Sequence, residues 1–120
     1  MKKFLYNLKK RLFPGRLFHK PWRCKDIGLI RGRHPLPVDE YFFDSSLEVF
    51  TKGEILERYG QSLREKIRNL KKNNYFEVNL YITGLTIACL VVVEMLRGEG
   101  ITVHIYGYDP LAKYYYQGTF

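Results

Sequence analysis

A strand–helix–strand pattern in the C-terminal half of the chain is the strongest constraint on its fold. Residues 76–82 (FEVNLYI) alternate and are rich in β-branched and aromatic side chains, which predicts a strand. Residues 86–97 are apolar nearly all round, which is typical of a helix covered on more than one side. Residues 98–100 (GEG) end that helix, and residues 101–108 (ITVHIYGY) predict a second strand. Such a unit favours parallel strands joined by a right-handed crossover.

The rest of the chain extends this pattern into a small sheet. Residues 26–31 (DIGLIR) and 40–44 (EYFFD) predict two strands, separated by a loop that contains two prolines. A helix follows, because Thr51 and Glu54 have the spacing of a capping box, in which both side chains satisfy N–H groups at a helix start. Residues 112–117 (AKYYYQ) predict an antiparallel edge strand after an Asp-Pro turn. We therefore predict an α/β fold, a small Rossmann-like domain with a mainly parallel sheet and the order β-β-α-β-α-β-β.

The positive charge of the chain is concentrated at its N-terminus. The formal net charge is +8, yet residues 1–25 contain nine Lys and Arg and no acid, so residues 26–120 are close to neutral. Phe4, Leu8 and Leu12 recur at helical spacing, which predicts a short amphipathic helix. We interpret residues 1–25 as a basic, partly amphipathic arm and residues 26–120 as the Rossmann-like domain. Such an arm can engage nucleic acid or another anionic surface.

Three sequence features bear on the compartment. The arm lacks the continuous apolar segment of a secretory signal. Residues 80–96 are at the lower length limit for a membrane span, but they include Glu94, which is costly in a bilayer. Cys24 and Cys89 form no CxxC pair, and Cys89 lies in the apolar helix, which predicts a buried thiol. Together these features predict a cytoplasmic protein.

The carboxyl ends of the predicted parallel strands form the candidate site. Ligands of such sheets bind in the crevice at that edge, where the sequence places Thr83-Gly84-Leu85-Thr86 and Asp109. Gly84 allows close backbone approach, and the N–H groups that begin the following helix favour an anion by about 0.3–1 kcal/mol. The pattern thus predicts a phosphate-binding loop. The alternative is that both threonines only cap the helix and that Gly84 eases the turn.

A second group of candidate residues follows the first strand. Arg31 and Arg33 can contact phosphate, and His34 can act as a general acid or base because imidazole titrates near neutrality. The catalytic candidates are therefore His34 and Arg33, and Arg31 joins the predicted ligand-binding residues. The alternative is a solvated loop with incidental charge. The spacing of His, Cys and acidic residues predicts no metal site, and no cofactor is expected.

One family resemblance extends this reading. The segment VNLYITGLT, the small apolar helix after it and GITVHIYGYD resemble the core of CRISPR-associated Rossmann-fold (CARF) domains and ring nucleases. The resemblance covers residues 76–116 and rests on Asn79, Thr83, Gly84, Thr86 and Asp109. Leu85 replaces a second glycine of the family pattern, and Ile87 stands where the family often has lysine. Those departures remove a cation from the loop.

The resemblance implies a homodimer formed through residues 86–97, with facing loops that hold a cyclic oligoadenylate of antiviral defence. Such a protein can be a sensor, a sponge or a metal-independent ring nuclease. A rival class of function is a non-catalytic binding module, in which the arm binds nucleic acid, an anionic membrane surface or an acidic protein partner. Mutation of Thr83 and Thr86 should matter for the first class, and deletion of residues 1–25 for the second.

Overall fold

The predicted pattern forms one five-stranded sheet with two helices. The computed structural model describes residues 21–32, 37–44, 51–82, 86–109 and 114–118, and it describes only the backbone of residues 108, 109 and 114–118. The elements are β1 (Arg23–Ile30), β2 (Tyr41–Phe43), α1 (Lys52–Lys72), β3 (Tyr75–Ile82), α2 (Ile87–Gly98), β4 (Thr102–Asp109) and β5 (Tyr114–Gly118). The α/β class and the order of elements are confirmed.

The strands lie in the order β2-β1-β3-β4-β5. The first four run parallel, and β5 runs antiparallel to β4, which confirms the mainly parallel sheet with an antiparallel edge. Gly28 is paired with Tyr81, and Tyr81 with Tyr106. This register brings the carboxyl ends of β1, β3 and β4 to one edge of the sheet, which we call the carboxyl edge.

The cap of α1 is close to the one predicted. The Oγ1 atom of Thr51 accepts the Glu54 N–H at 3.1 Å. The Glu54 carboxylate accepts the Thr51 hydroxyl at 2.9 Å, whereas the capping-box pattern predicts the backbone N–H of Thr51 as its donor. The helix is amphipathic and buries an apolar stripe of Ile55, Leu63, Ile67 and Leu70.

β1 begins three residues earlier than predicted. Asn74, which ends the turn after α1 with a φ of 65°, accepts the Arg23 N–H at 2.8 Å and donates its side-chain N–H to Pro21 O at 2.7 Å. The start of β1 is thereby joined to the start of β3. Residues 23–25, which the sequence placed in the arm, are part of the sheet, because backbone pairing extends the strand where apolar alternation is absent. Residues 1–20 of the arm lie outside the described residues.

The core lies between the sheet and the two helices. Val78 and Leu80 of β3 are fully buried beneath Leu63 of α1 and Val92 of α2, in one apolar cluster. Both crossovers advance along the sheet in the same direction, so right-handed connections place both helices on one face. Ion pairs also link the helices. Lys52 at the start of α1 lies 2.9 Å from Glu94 of α2, and Lys71 at the end of α1 lies 2.8 Å from Glu99, the residue after α2.

Half of the twelve residues of α2 are buried within the chain itself. The buried residues are Ala88, Cys89, Val91, Val92, Val93 and Leu96. Ile87 and Leu90, in contrast, are 44% and 52% exposed. The sheet and α1 therefore cover one side of the helix, and its exposed side is apolar at the N-terminal end and carries Glu94 and Arg97 farther along. Of the helices in the described ranges, neither combines the length and the apolar character that a bilayer crossing requires.

The sheet face opposite the helices carries polar side chains. Asn79 donates to the Asp26 carboxylate at 2.8 Å across β3 and β1. The rings of Tyr81 and Tyr106 stack with a centroid distance of 5.0 Å and an interplanar angle of 17°. Burial, and then the nearby Asp26 carboxylate, raise the pKa of Tyr81. β3 is therefore an amphipathic strand, and its residues Asn79 and Tyr81 lie on the side away from the core.

Candidate functional site

The connections of the parallel strands diverge at one point of the carboxyl edge. From β1 the chain passes to β2 on one side, and from β3 it passes through α2 to β4 on the other side. Such a reversal between neighbouring strands is a topological switch point, and it opens a crevice outside the strand ends. The pairing of Gly28 with Tyr81 sets Leu29 level with Ile82, so Arg31 and the start of α2 lie at this edge.

Thr86 caps the N-terminus of α2 at this crevice. Its Oγ1 atom accepts the Cys89 N–H at 3.2 Å, and its carbonyl accepts the Leu90 N–H at 3.2 Å. The capping role that the sequence offered as the alternative is therefore present. This role does not use the full hydrogen-bonding capacity of the side chain, because a hydroxyl that accepts one hydrogen bond still has a proton to donate.

The electrostatics of the two helix N-termini differ. The first turn of α1 contains Glu54, whereas the first turn of α2 contains no acidic residue. The N–H groups of a first turn lack intrahelical partners and carry a partial positive charge. At α1 a carboxylate of the chain itself offsets that charge. At α2 the charge is available to an anion that enters the crevice.

The area beside Thr86 is apolar. Ile87 and Leu90 are the exposed large hydrophobic side chains among the residues whose burial is described. They flank the start of α2 on its solvent side, next to the capped N–H groups. This part of the carboxyl edge therefore combines hydrogen-bond donors with an apolar surface, as sites for small ligands commonly do.

Arg31 lies at the carboxyl end of β1, as predicted, but its side chain leans toward β2. Its N–H donates to Phe43 O at 2.9 Å, and its guanidinium carbon lies 4.5 Å from the centroid of the Tyr41 ring. The exposed guanidinium lines a cavity of about 400 Å³ beside the β2 edge. Arg31 is therefore held by a cation–π contact of the kind that leaves the guanidinium donors accessible.

Lys66 holds β2 against α1 and was not anticipated from the sequence. Its ammonium group donates to Tyr41 O and to Phe42 O, both at 2.9 Å, and lies 4.0 Å from Asp44. A lysine in the middle of an amphipathic helix gave no signal of this role, since a charged helix face is usually solvated. In the same cavity the hydrogen bond to Glu40 raises the pKa of Lys25.

Asp109 is the last residue of β4 and lies at the carboxyl edge with Ile82, which pairs with Gly107. The remaining predicted site residues, Arg33, His34, Thr83, Gly84 and Leu85, lie outside the described residues. Their roles in binding and catalysis stay predictions. Of the candidate residues, the structure thus brings Arg31, Thr86 and the backbone of Asp109 to one edge of the sheet.

A buried polar cluster lies at the opposite, amino edge. Glu77 is 6% exposed, and it accepts the indole N–H of Trp22 at 2.6 Å. The Nε2 atom of His104 lies 3.2 Å from its other carboxylate oxygen. The alternation of β3 could have shown Glu77 as a residue away from the helices, but its burial depends on Trp22. In the described ranges, no group of three His, Cys, Asp or Glu side chains is arranged to hold a metal ion.

Comparison with known proteins does not extend these observations. No protein-family model matches the chain, and neither a curated protein nor a solved structure matches it significantly.

Proposed function

We propose that the protein binds a phosphate-rich nucleotide in the crevice between β1 and β3. The observation that carries this proposal is the switch point of the parallel sheet, with the N-terminus of α2 facing it and no acid in the first turn of that helix. In open α/β sheets, ligands bind at such a point, and phosphates bind at helix N-termini.

The chemistry of the described residues supports the same ligand class. The Thr86 hydroxyl has a donor proton left after it caps α2, and the first-turn N–H groups favour negative charge. Exposed Ile87, the residue after Thr86, gives an apolar surface on which a base can lie. Thr83, Gly84 and Leu85 complete the loop by prediction, and the exposed cation Arg31 lies directly after the neighbouring strand β1.

The resemblance to CARF domains narrows the proposed ligand to a cyclic oligoadenylate. A ring of repeating nucleotides is symmetric, so it fits two facing copies of the same loop, and Leu90, exposed on the solvent side of α2, is the proposed contact between the copies. In this proposal the protein is a cytoplasmic sensor or sponge in CRISPR-associated antiviral defence.

Ring cleavage is the enzymatic form of the same proposal. A 2′-hydroxyl of the bound nucleotide attacks the adjacent phosphorus, a 2′-oxygen–phosphorus bond forms, and the bond to the 5′-oxygen breaks. His34 takes the proton of the attacking hydroxyl and a proton passes to the leaving 5′-oxygen, while Arg33 offsets the charge that develops on the phosphate. The products are a linear oligoadenylate with a 2′,3′-cyclic phosphate, and no metal ion takes part.

Calorimetric titration with cyclic tetra-adenylate and cyclic hexa-adenylate tests the proposal. We expect binding to the wild type and its loss in Gly84→Val, which places a branched side chain where the backbone should approach the phosphate. Gly53→Val is the matched control, because a Cβ atom at Gly53 would meet nothing within 4 Å and that residue lies in α1. No heat from the wild type with either ligand, or equal binding by Gly84→Val, would reject the proposal.

A further inference from the structure

A groove with a basic rim lies between the C-terminal halves of α1 and α2. It encloses about 760 Å³ and is bounded by α1, the start of β3 and the end of α2. Both helices end at the amino edge of the sheet, since α1 leads into β3 and α2 into β4. The twelve residues of α2 span about 18 Å, so the groove and the crevice at Thr86 lie at opposite ends of that helix.

The rim is formed by four cations of α1. These cations recur at helical spacing and therefore lie along one side of the helix; they are Arg64, Arg68, Lys71 and Lys72. The rise along the helix axis from Arg64 to Arg68 is about 6 Å. Lys71 is paired with Glu99 of the facing wall at 2.8 Å. Within the described part of the chain, the other three cations form no ion pair, and all three are exposed. The rim therefore keeps three uncompensated positive charges.

The floor of the groove is apolar. Ile67 is buried, and Phe76 and Met95 are half-buried side chains that pack on the core and line the groove with their remaining surface. A phenyl ring and an unbranched thioether chain offer a surface that adapts to different apolar side chains. Between two helices, such a floor is suited to the apolar face of a third helix.

We propose that this groove binds an acidic amphipathic helix of a protein partner. The apolar residues of that helix lie on Phe76 and Met95, and carboxylates at i and i+4 meet Arg64 and Arg68. Charge decides between the possible occupants. The arm cannot fill the groove favourably, because residues 1–25 carry nine Lys and Arg and no acid. A nucleic-acid backbone would neutralise the rim but would leave the apolar floor without apolar contacts.

The test uses fluorescence anisotropy with the full chain and a labelled synthetic peptide. The peptide has about 16 residues, with Leu at helical spacing on one face and Glu on both flanks of that face. A peptide of the same composition, scrambled so that Leu is distributed around the helix, is the control ligand. We expect the patterned peptide to bind and the scrambled peptide to bind weakly.

The variant Arg64→Glu/Arg68→Glu reverses two charges of the rim, and we expect it to weaken peptide binding by roughly tenfold or more. Arg58→Glu is the matched control, because Arg58 is an exposed arginine of the same helix that does not line the groove. Met95→Gln tests the floor and should weaken binding without changing the rim. All of these variants keep the arm, so a loss specific to the groove variants cannot come from the arm.

Four outcomes would overturn the proposal. Equal binding of the patterned and scrambled peptides would show attraction by charge alone. No binding of the patterned peptide at low salt would show that the groove does not accept an acidic helix. A third outcome is that the patterned peptide does not bind, whereas a labelled oligothymidylate binds the wild type and not the rim variant. That outcome would assign the groove to nucleic acid. Self-association of the wild type that the rim variant abolishes would assign it to a second copy of the chain.

Discussion

The indole Nε1 atom of Trp22 donates to Oε1 of Glu77 at 2.6 Å and joins the residue before β1 to the start of β3. Trp22 is 7% exposed and Glu77 is 6% exposed, so this hydrogen bond is sheltered from water. A buried carboxylate needs donors, because its desolvation is otherwise uncompensated. The sheet therefore depends on a residue of the predicted arm that lies directly before β1.

Trp22→Phe is predicted to destabilise the protein. The variant keeps an aromatic ring but removes the donor to Glu77, which should lower the free energy of unfolding by about 1–3 kcal/mol. Urea unfolding followed by circular dichroism measures the loss. Glu77→Gln and the double variant complete a mutant cycle, and we expect the double variant to be less destabilised than the sum of the single variants. Additive losses would show that the two side chains do not interact.

The sequence predicted the elements well where local signals are strong. The β-branched alternation of residues 76–82 and the caps Thr51 and Thr86 are local, and each one lies where it was expected. The start of β1 was wrong by three residues, because Arg23-Cys24-Lys25 has no apolar alternation. Those residues are extended through their pairing with β3, which is not a local property.

The candidate site was less predictable than the fold. The helix start at Thr86 followed from the sequence, but the stacking of Arg31 on Tyr41 depends on β2 lying beside β1. Likewise, a domain with nearly balanced charge gave no sign of a basic groove. The cations of α1 have helical spacing in the sequence, but the apolar floor comes from Phe76 and Met95 of two other elements.

Deletion of residues 1–20 is the structure-based test of the arm. A deletion to residue 25 would remove Trp22 and the first residues of β1 and should therefore unfold or strongly destabilise the sheet. The deletion of residues 1–20 removes seven Lys and Arg and should leave a folded domain. We expect this domain to bind heparin more weakly and with a smaller salt dependence, because such binding scales with the number of charges neutralised. An unchanged salt slope would place the polyanion-binding surface within residues 21–120.

The two cysteines are predicted to differ in reactivity. Cys89 is fully buried in α2, and burial raises the pKa of its thiol, whereas Cys24 is exposed. The thiolate is the reactive form, so a thiol reagent at pH 8 should modify Cys24 quickly and Cys89 only after unfolding. Counting modified thiols with and without urea measures this difference. In Cys24→Ser the fast reaction should disappear, and a fast reaction that persists in this variant would show that Cys89 is accessible.

The raised pKa of Cys89 also predicts that the stability of the folded protein decreases as the pH rises. The folded state holds the thiol proton more tightly than the unfolded state does, so the unfolded state loses its proton first as the pH rises. The stability contributed by this group is present below the ordinary thiol pKa of about 8.5 and is lost above it. Urea midpoints of the wild type should therefore fall between pH 8 and pH 10 more steeply than those of Cys89→Ala.

Substitution of Leu90 tests whether the exposed end of α2 forms a contact between two copies of the chain. It is 52% exposed, and Leu90→Glu would place a charge in an apolar contact without disturbing the core. We expect the wild type to sediment as a dimer at micromolar concentration and the variant to sediment as a monomer. Gln61→Glu, an exposed substitution on α1, is the control for added charge. A wild-type protein that sediments at 14.3 kDa at all concentrations would reject the contact.

Substitutions of Thr86 distinguish most directly between a residue that only caps α2 and a residue that also binds an anion. Thr86→Ala should lower the free energy of unfolding by about 1 kcal/mol, because the Cys89 N–H loses its acceptor. Thr86→Asp should restore that stability, since aspartate is at least as good a cap as threonine. Its negative charge at the start of α2 would nevertheless repel a phosphate that uses the same N–H groups.

We therefore expect Thr86→Asp to unfold at the urea concentration of the wild type and to lose calorimetric binding of cyclic oligoadenylate. Thr51→Asp at the cap of α1 is the matched control, and it should bind as the wild type does because α1 already carries Glu54 in its first turn. Thr86→Ser should keep both stability and binding. If the wild type binds the ligand and Thr86→Asp binds it equally well, the phosphate does not lie at this helix and Thr86 serves only as a cap.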